Sequence, residues 1–471
     1  MNTFVNAVQN QMTVTENGMP VRVNSANACV DLFYAAGAMR GKDIVPQFVS
    51  ALVEDENIAG RIALWLRDVR AGAGERELFR NILRYLEIYN PELAVRLALR
   101  VPELGRWDDL LVFDTERIKL VAYQLIAEAL AAGNGLAAKW MPRKGAEAAR
   151  LRKFLNLTPK AYRKTLVNLT KVVETQMCAK QWETIEFSHV PSQAHAKYKR
   201  AFARNSLAYK AYVAKLVSKD ASVKINASAI YPYEVIKDVH ILEYAPIAPE
   251  VVSVTIAQWD ALPNYLGSRK VLPMVDVSGS MVCPAGSNTS VSCMDVAVSL
   301  GLYCAEKNTG AYKGVFLTFS EQPELVQLKG NVVQMAKQMT RSNWGMNTDI
   351  SAAFARVLQL AQAQNAAQAD MPEFILIFSD MQFDACVSNG SDSALAMMQR
   401  RYEAAGYTMP KVVFWNLRHG GNTPVKYDEK NTALVSGFSP NIMKAIFSSD
   451  LDQFSPVGIM METLKSERYD F

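Results

Sequence analysis

A chain of 471 residues, half of them apolar and 21% charged, has the material for two or three globular domains and is neither disordered nor fibrous in composition. No uncharged run approaches the roughly 18 residues that a membrane helix needs. The start, Met1 to Gly18, lacks a basic-then-apolar leader, so neither a membrane span nor a secretory signal is expected. The net charge of +5 conceals an asymmetry: Lys139 to Lys224 holds 19 Lys or Arg against 5 Asp or Glu, which leaves 32 basic and 41 acidic residues elsewhere. A segment that basic in an otherwise acidic chain points to a polyanionic partner.

Six cysteines (Cys29, Cys178, Cys283, Cys293, Cys304, Cys386) are scattered without a C-x-x-C pair. They read as free thiols of a cytoplasmic protein. Cys178, His189 and His195 fit no closed four-ligand zinc spacing.

Along the chain, residues 1 to about 30 read as a polar, extended arm. From Cys29 onward apolar residues recur at helical spacing, for example Ile58, Ile62 and Leu66, or Leu78, Ile82 and Leu86. Breaks at Gly41, Gly72, Gly74, Pro91, Pro102 and Gly133 give helices of 10 to 20 residues joined by short turns, with no strand pattern before about 250. Stacked HEAT-like hairpins are the natural architecture. The stretch Arg67 to Arg76 reads as a helix C-cap followed by a new helix, with Arg67, Arg70 and Arg76 as alternative phosphate contacts.

The basic segment supplies the candidate nucleic-acid contacts: Lys139, Arg143, Lys144, Arg150, Arg152, Lys153, Lys160, Arg163, Lys164 and Lys171, then Lys197, Lys199, Arg200 and Arg204. Tyr198, Phe202 and Tyr209 interleave with the second cluster. Aromatic faces beside Lys and Arg suit unpaired bases and phosphates together, whereas helical spacing alone would make them core.

Prolines 232, 246, 249 and 263 lead into a C-terminal unit of alternating strands and helices, so the domains are expected at 1–255 and 256–471. Strands are expected at 271–277, 314–319, 325–328, 374–379, 411–416 and 432–435. Helices are expected at 292–307, 331–339, 349–362, 394–405 and 440–447. That alternation implies a doubly wound parallel sheet, Rossmann-like, with ligands beyond the carboxyl ends of its strands.

The uncharged run Val271 to Val275 leads into Asp276-x-Ser278-x-Ser280, a carboxylate and two hydroxyls at alternate positions. This hard-oxygen set suits Mg²⁺, or another divalent cation such as Mn²⁺ or Ca²⁺. With Asn343 to Asp349 and Phe374 to Asp380, it resembles the three-part metal-ion-dependent adhesion site of von Willebrand factor A (VWA) domains. Carried over by position, Ser278, Ser280 and Thr348 offer hydroxyls, while Asp276 and Asp380 act directly or through water. Asp295 and Asp384 are nearby acids.

A helical part followed by a VWA unit is similar to the TROVE/Ro autoantigen RNA-binding proteins. Thr15 to Gly18, Trp65 to Arg70, Lys139 to Lys144, Glu174 to Ala179, Leu272 to Met281 and Val435 to Ser439 resemble more closely a domain-of-unknown-function family that couples a TROVE-like part to VWA. The resemblance implies RNA, structured or single-stranded, on the basic helices. The competing reading is an assembly module whose metal site captures an acidic protein partner. No G-x-S-x-G elbow, Walker loop or H-E-x-x-H motif points to an enzyme.

Overall fold

Short runs of apolar residues bounded by turn residues build one sheet in the computed structural model, which describes residues 12–237, 248–286, 291–319, 322–342, 349–383, 394–418, 420–449 and 454–471. An antiparallel hairpin, β1 (Met12–Val14) and β2 (Pro20–Arg22), lies where an extended arm was expected. The sheet strands are β3 (Val271–Val275), β4 (Val315–Thr318), β5 (Leu325–Gln327), β6 (Phe374–Ser379), β7 (Lys411–Asn416) and β8 (Thr432–Ser436), in the spatial order β5-β4-β3-β6-β7-β8. Neighbours from β4 to β8 pair in parallel. β3, β6 and β8 are buried along their whole length, as strands covered on both faces should be.

The sheet is mostly parallel, as expected; β5, at its edge, runs antiparallel to β4. A parallel return needs a crossover of about a dozen residues, whereas six separate Thr318 from Leu325. The chain leaves β3 toward β4 and leaves β6 toward β7. The winding therefore reverses between β3 and β6, the switch point at which such sheets bind ligands. The helix Cys293–Lys307 covers β3 closely: a Cβ on Gly301 would lie 2.2 Å from Val275 Cγ2.

Contacts divide the chain into two units that are each discontinuous in sequence: Met1–Gly41 with Ala227–Ser466, and Lys42–Asn226 with Glu467–Phe471. The division thus differs from a single boundary at 255. The physical reason is a close approach of two glycines. The helix Ala28–Ala36 packs on β8, the Gly37 N–H donates to Ser436 Oγ at 2.9 Å, and a Cβ on Gly37 would come within 2.7 Å of Gly437 Cα. Arg22 and Thr423 add a reciprocal pair of backbone bonds, both 2.9 Å.

The second unit is helical hairpins. Val45–Glu54 and Glu56–Arg67 share the single joint Asp55, whose carboxylate caps the second helix by accepting the Ile58 N–H. Arg76–Tyr89 and Pro91–Leu104 are joined in the same way by Asn90, which caps the Leu93 N–H. The basic segment supplies Gly145–Phe154, Pro159–Leu169, Val173–Cys178, Ser192–Asn205 and Leu207–Val217. Among the described residues no helix is long and apolar enough to cross a membrane.

Candidate metal centre and nucleic-acid interface

The ladder between β3 and β6 runs one residue past β3, since the Asp276 N–H donates to Phe378 O at 3.0 Å. That register brings Asp276 and Asp380 together at the switch point, both essentially inaccessible to solvent. Asp276 Oδ1 accepts the Ser278 N–H at 2.9 Å, and Oδ2 accepts the Ser379 hydroxyl at 2.5 Å. Ser278 and Ser280 place their hydroxyl oxygens 3.0 Å apart. The Gln382 N–H reaches Asp380 Oδ1 at 3.3 Å, while Asp380 Oδ2 is buried and meets no donor within hydrogen-bond geometry among the described residues.

Burial pushes the Asp276 carboxyl up to about 6; the Ser379 hydroxyl offsets part of this, and the charge of Asp380 adds to it. Burial raises Asp380 as well, with the Ser280 hydroxyl and the Gln382 N–H drawing it back. Two acids held this way repel one another, and a shared cation relieves the repulsion. An orphaned carboxylate oxygen beside two hydroxyls fits the hard-oxygen donor set that Mg²⁺ takes. Among the described residues no group of three or more His, Cys, Asp or Glu side chains is placed to hold a metal ion; the hydroxyls beside this pair are those of Ser278, Ser280 and Ser379. Four of the five expected donors converge here. Thr348 and Asp384 lie outside the described residues, and Asp295 is a capping residue whose carboxylate accepts from Ser292.

Sequence reasoning missed three contributors. Ser379 holds Asp276. Arg418 lowers Asp380 electrostatically. The turn Thr15 to Gly18 clasps the loop after β6: Thr15 Oγ1 donates to Phe383 O at 2.6 Å, the Glu16 N–H to Gln382 Oε1 and Asn17 Nδ2 to Gln382 O, both at 2.8 Å. The Glu16 charge acts on Asp380 from there.

In the helical unit, several arginines before residue 139 are paired with acids. Arg67, 1% exposed, meets Asp109 at 2.6 Å, and Arg80 meets the other oxygen of Asp109 at 2.7 Å. Arg106 pairs with Asp108 at 2.6 Å and lies 3.4 Å from the Trp140 ring centre. Arg70 donates to Glu103 O, and Arg76 pairs with Glu77. The stretch Arg67 to Arg76 is therefore structural.

Beyond residue 139 the pattern inverts. Lys144, Lys153, Lys160, Arg163, Lys164, Lys171, Lys197 and Arg204 are exposed and meet no acidic partner among the described residues. Helical spacing gathers basic residues: Lys160, Arg163 and Lys164 share one side of Pro159–Leu169, and Lys197 and Arg204 form a stripe on Ser192–Asn205 together with Arg200, which makes contacts of its own. Arg143 donates to Thr170 Oγ1, Arg150 pairs with Glu147, and half-buried Arg152 donates to Leu157 O. Lys139 is half-buried, with its ammonium 5.4 Å from the Trp140 ring centre.

Two expectations are corrected. Lys199 is fully buried, and so are Phe202 and Tyr209. They sit in an aromatic core with Phe187, Tyr212 and His195, whose Nε2 lies 3.0 Å from Tyr209 Oη. Of the interleaved aromatics only Tyr198 is half-exposed.

Burial, and then the Lys199 ammonium, push the His195 imidazole down to about 3. The unfolded chain takes up this proton below about pH 6.5, whereas the native state resists it until near pH 3. This contribution is complete above pH 6.5 and lost as the pH falls. Between pH 7.5 and 5 the expected loss is about 2 kcal/mol. Urea unfolding at both pH values checks it: His195→Gln should narrow the difference, and an equal difference in the variant would show that His195 contributes nothing.

A hairpin-stacked helical unit joined to a VWA-like α/β unit with paired acids at its switch point defines the class. Residues 119–268 match a family model described as Domain of unknown function (DUF2828), and residues 270–466 match Domain of unknown function (DUF7788). Uncharacterized protein L728 of Acanthamoeba polyphaga mimivirus is 30% identical over 517 aligned positions, covering 96% of this chain and 87% of that protein. The chain belongs to the family of that viral protein. The crystal structure of the Deinococcus radiodurans RO (RSR) protein is similar at 14% identity and a TM-score of 0.39, covering 86% of this chain and 90% of that one.

Proposed function

We propose that the protein binds RNA, without catalysing a reaction, through phosphate contacts on the helical unit. One observation carries this reading: Lys144, Lys153, Lys160, Arg163, Lys164, Lys171, Lys197 and Arg204 are exposed and meet no acidic side chain among the described residues, whereas Arg67, Arg80 and Arg106 of the preceding helices are paired with aspartates. Lys42 to Ala138 holds 12 basic and 15 acidic residues, so the excess is confined to one segment. With Phe202 and Tyr209 in the core, stacking on bases has little surface to use, and recognition falls to the phosphate backbone. Affinity should then drop steeply with salt. Some six to eight contacts predict a log–log slope of about −4 to −6 for a single strand. Filter binding of a labelled RNA between 50 and 200 mM KCl (about the range over which counterion release is read) tests this. A slope near zero, or no retention at low salt, overturns the reading.

We propose further that Asp276, Ser278, Ser280 and Asp380, with Thr348, hold Mg²⁺, and that the ion takes a carboxylate from an acidic protein partner. Relief of the two buried charges supports this. Millimolar MgCl₂ should raise the melting temperature by several degrees, and Asp276→Ala should remove the shift while leaving RNA binding intact. Identical melting with MgCl₂ and with EDTA would exclude a bound cation.

A further inference from the structure

We propose that Cys283 and Cys293 form a reversible disulfide, a modification site flanking the loop that carries Ser278 and Ser280. Backbone geometry sets the two cysteines opposite one another. The Cys293 N–H donates to Cys283 O at 3.0 Å, Pro284 and Ser292 form an antiparallel bridge, and the Ala285 N–H donates to Val291 O at 2.8 Å. Their sulfurs lie 3.6 Å apart, already in contact. A bond requires them to close by about 1.5 Å, a side-chain adjustment that leaves the ladder in place. The other thiols differ: Cys29 and Cys304 are each buried and Cys178 is exposed, with no second sulfur opposite them among the described residues.

The two sulfurs are unequal, which gives the exchange an order. Cys283 is half-buried and open to a small disulfide, whereas Cys293 is buried with its sulfur 3.7 Å from Leu417 O. Burial, and then the neighbouring Cys283 sulfur, raise the Cys293 thiol. With glutathione disulfide as oxidant, the Cys283 thiolate attacks one sulfur, forming a mixed disulfide and releasing one glutathione. The Cys293 sulfur, losing its proton, then attacks Cys283 and releases the second. Two protein thiols are oxidised and one glutathione disulfide is reduced to two thiols. The product closes the segment 284–292 into a covalent loop. It ties the turn Gly279–Val282 to the first residue of the helix Cys293–Lys307.

The test equilibrates the full chain in buffers of increasing glutathione disulfide to glutathione ratio, followed by acid quench, alkylation and peptide mapping. The expected result is a loss of two alkylatable thiols and two hydrogens, a cross-linked peptide joining Cys283 to Cys293, and full reversal by dithiothreitol. Cys283→Ser, at a half-exposed position that leaves the core untouched, should abolish the cross-link. Cys293→Ser should do the same, and the first variant decides the matter if the second fails to fold. The proposal is overturned by a glutathione adduct persisting on Cys283 beside an alkylatable Cys293, by a link between any other pair, or by six alkylatable thiols at the most oxidising ratio.

Discussion

Asp109→Ala should cost about 3–5 kcal/mol of stability, the largest effect of any single substitution considered. Asp109 has no solvent exposure and serves three donors: Arg67 Nε at 2.6 Å, Arg80 Nε at 2.7 Å and the Arg106 N–H at 2.9 Å. Removing it leaves the Arg67 guanidinium, 1% exposed, without its carboxylate inside the helical unit. The penalty is that of a buried, uncompensated charge, not the net worth of the ion pair. Asp109→Asn keeps acceptor oxygen and shape but loses the charge, and should fall between the two. For a unit of this size the alanine variant should melt about 10 °C or more below the parent. A fall under about 2 °C would mean that water or a rearranged neighbour, such as Asp108, satisfies Arg67.

Reversing Lys144, Lys160, Arg163 and Lys164 to glutamate should weaken RNA binding by about 10²–10³-fold near 0.1 M salt. Each lost phosphate contact removes roughly 0.7 from the log–log slope, so four lower log K by about 3 at that concentration. All four side chains are exposed and pair with no acid among the described residues, so the fold should lose little. Circular dichroism and the unfolding midpoint check that directly. Reversal of the exposed Lys313 and Lys329, in the sheet unit, should change affinity less than about twofold. Equal weakening by both sets would show a diffuse charge effect, and no weakening by the first would remove the helical surface from RNA recognition.

The strands and the acid pair were legible because each rests on a local signal. Phe374–Ser379 and Lys411–Asn416 form over the expected residues, since an uninterrupted apolar run in a covered parallel sheet has few alternative placements. Asp276 and Asp380 were readable as a pair because each follows a strand that the switch point sets side by side. The hairpin β1–β2 went unread, since three residues per strand, Met-Thr-Val and Pro-Val-Arg, are too few to show alternation. The antiparallel β5 was hidden by the same brevity, although the six-residue connection carried the clue. Lys199 was misplaced by composition, which does not say where a charge points. Its spacing did: His195, Lys199 and Phe202 lie at i, i+4 and i+7, one helix face, and that face is the core. Lys197, Arg200 and Arg204 take the other.

The interrupted layout of the sheet unit bears on how the chain matures. Residues 12–41 are synthesised well before the β8 surface they dock on, Thr432–Ser436, which emerges nearly 400 residues later. Contacts that distant form slowly, because a long loop must close before they are rewarded. The helices of 42–226 leave the ribosome complete in the meantime. Expression of the sheet unit from residue 227 onward should therefore give an aggregating product with a bare β8 flank, whereas supplying residues 1–41 as a fused or co-expressed peptide should restore its solubility.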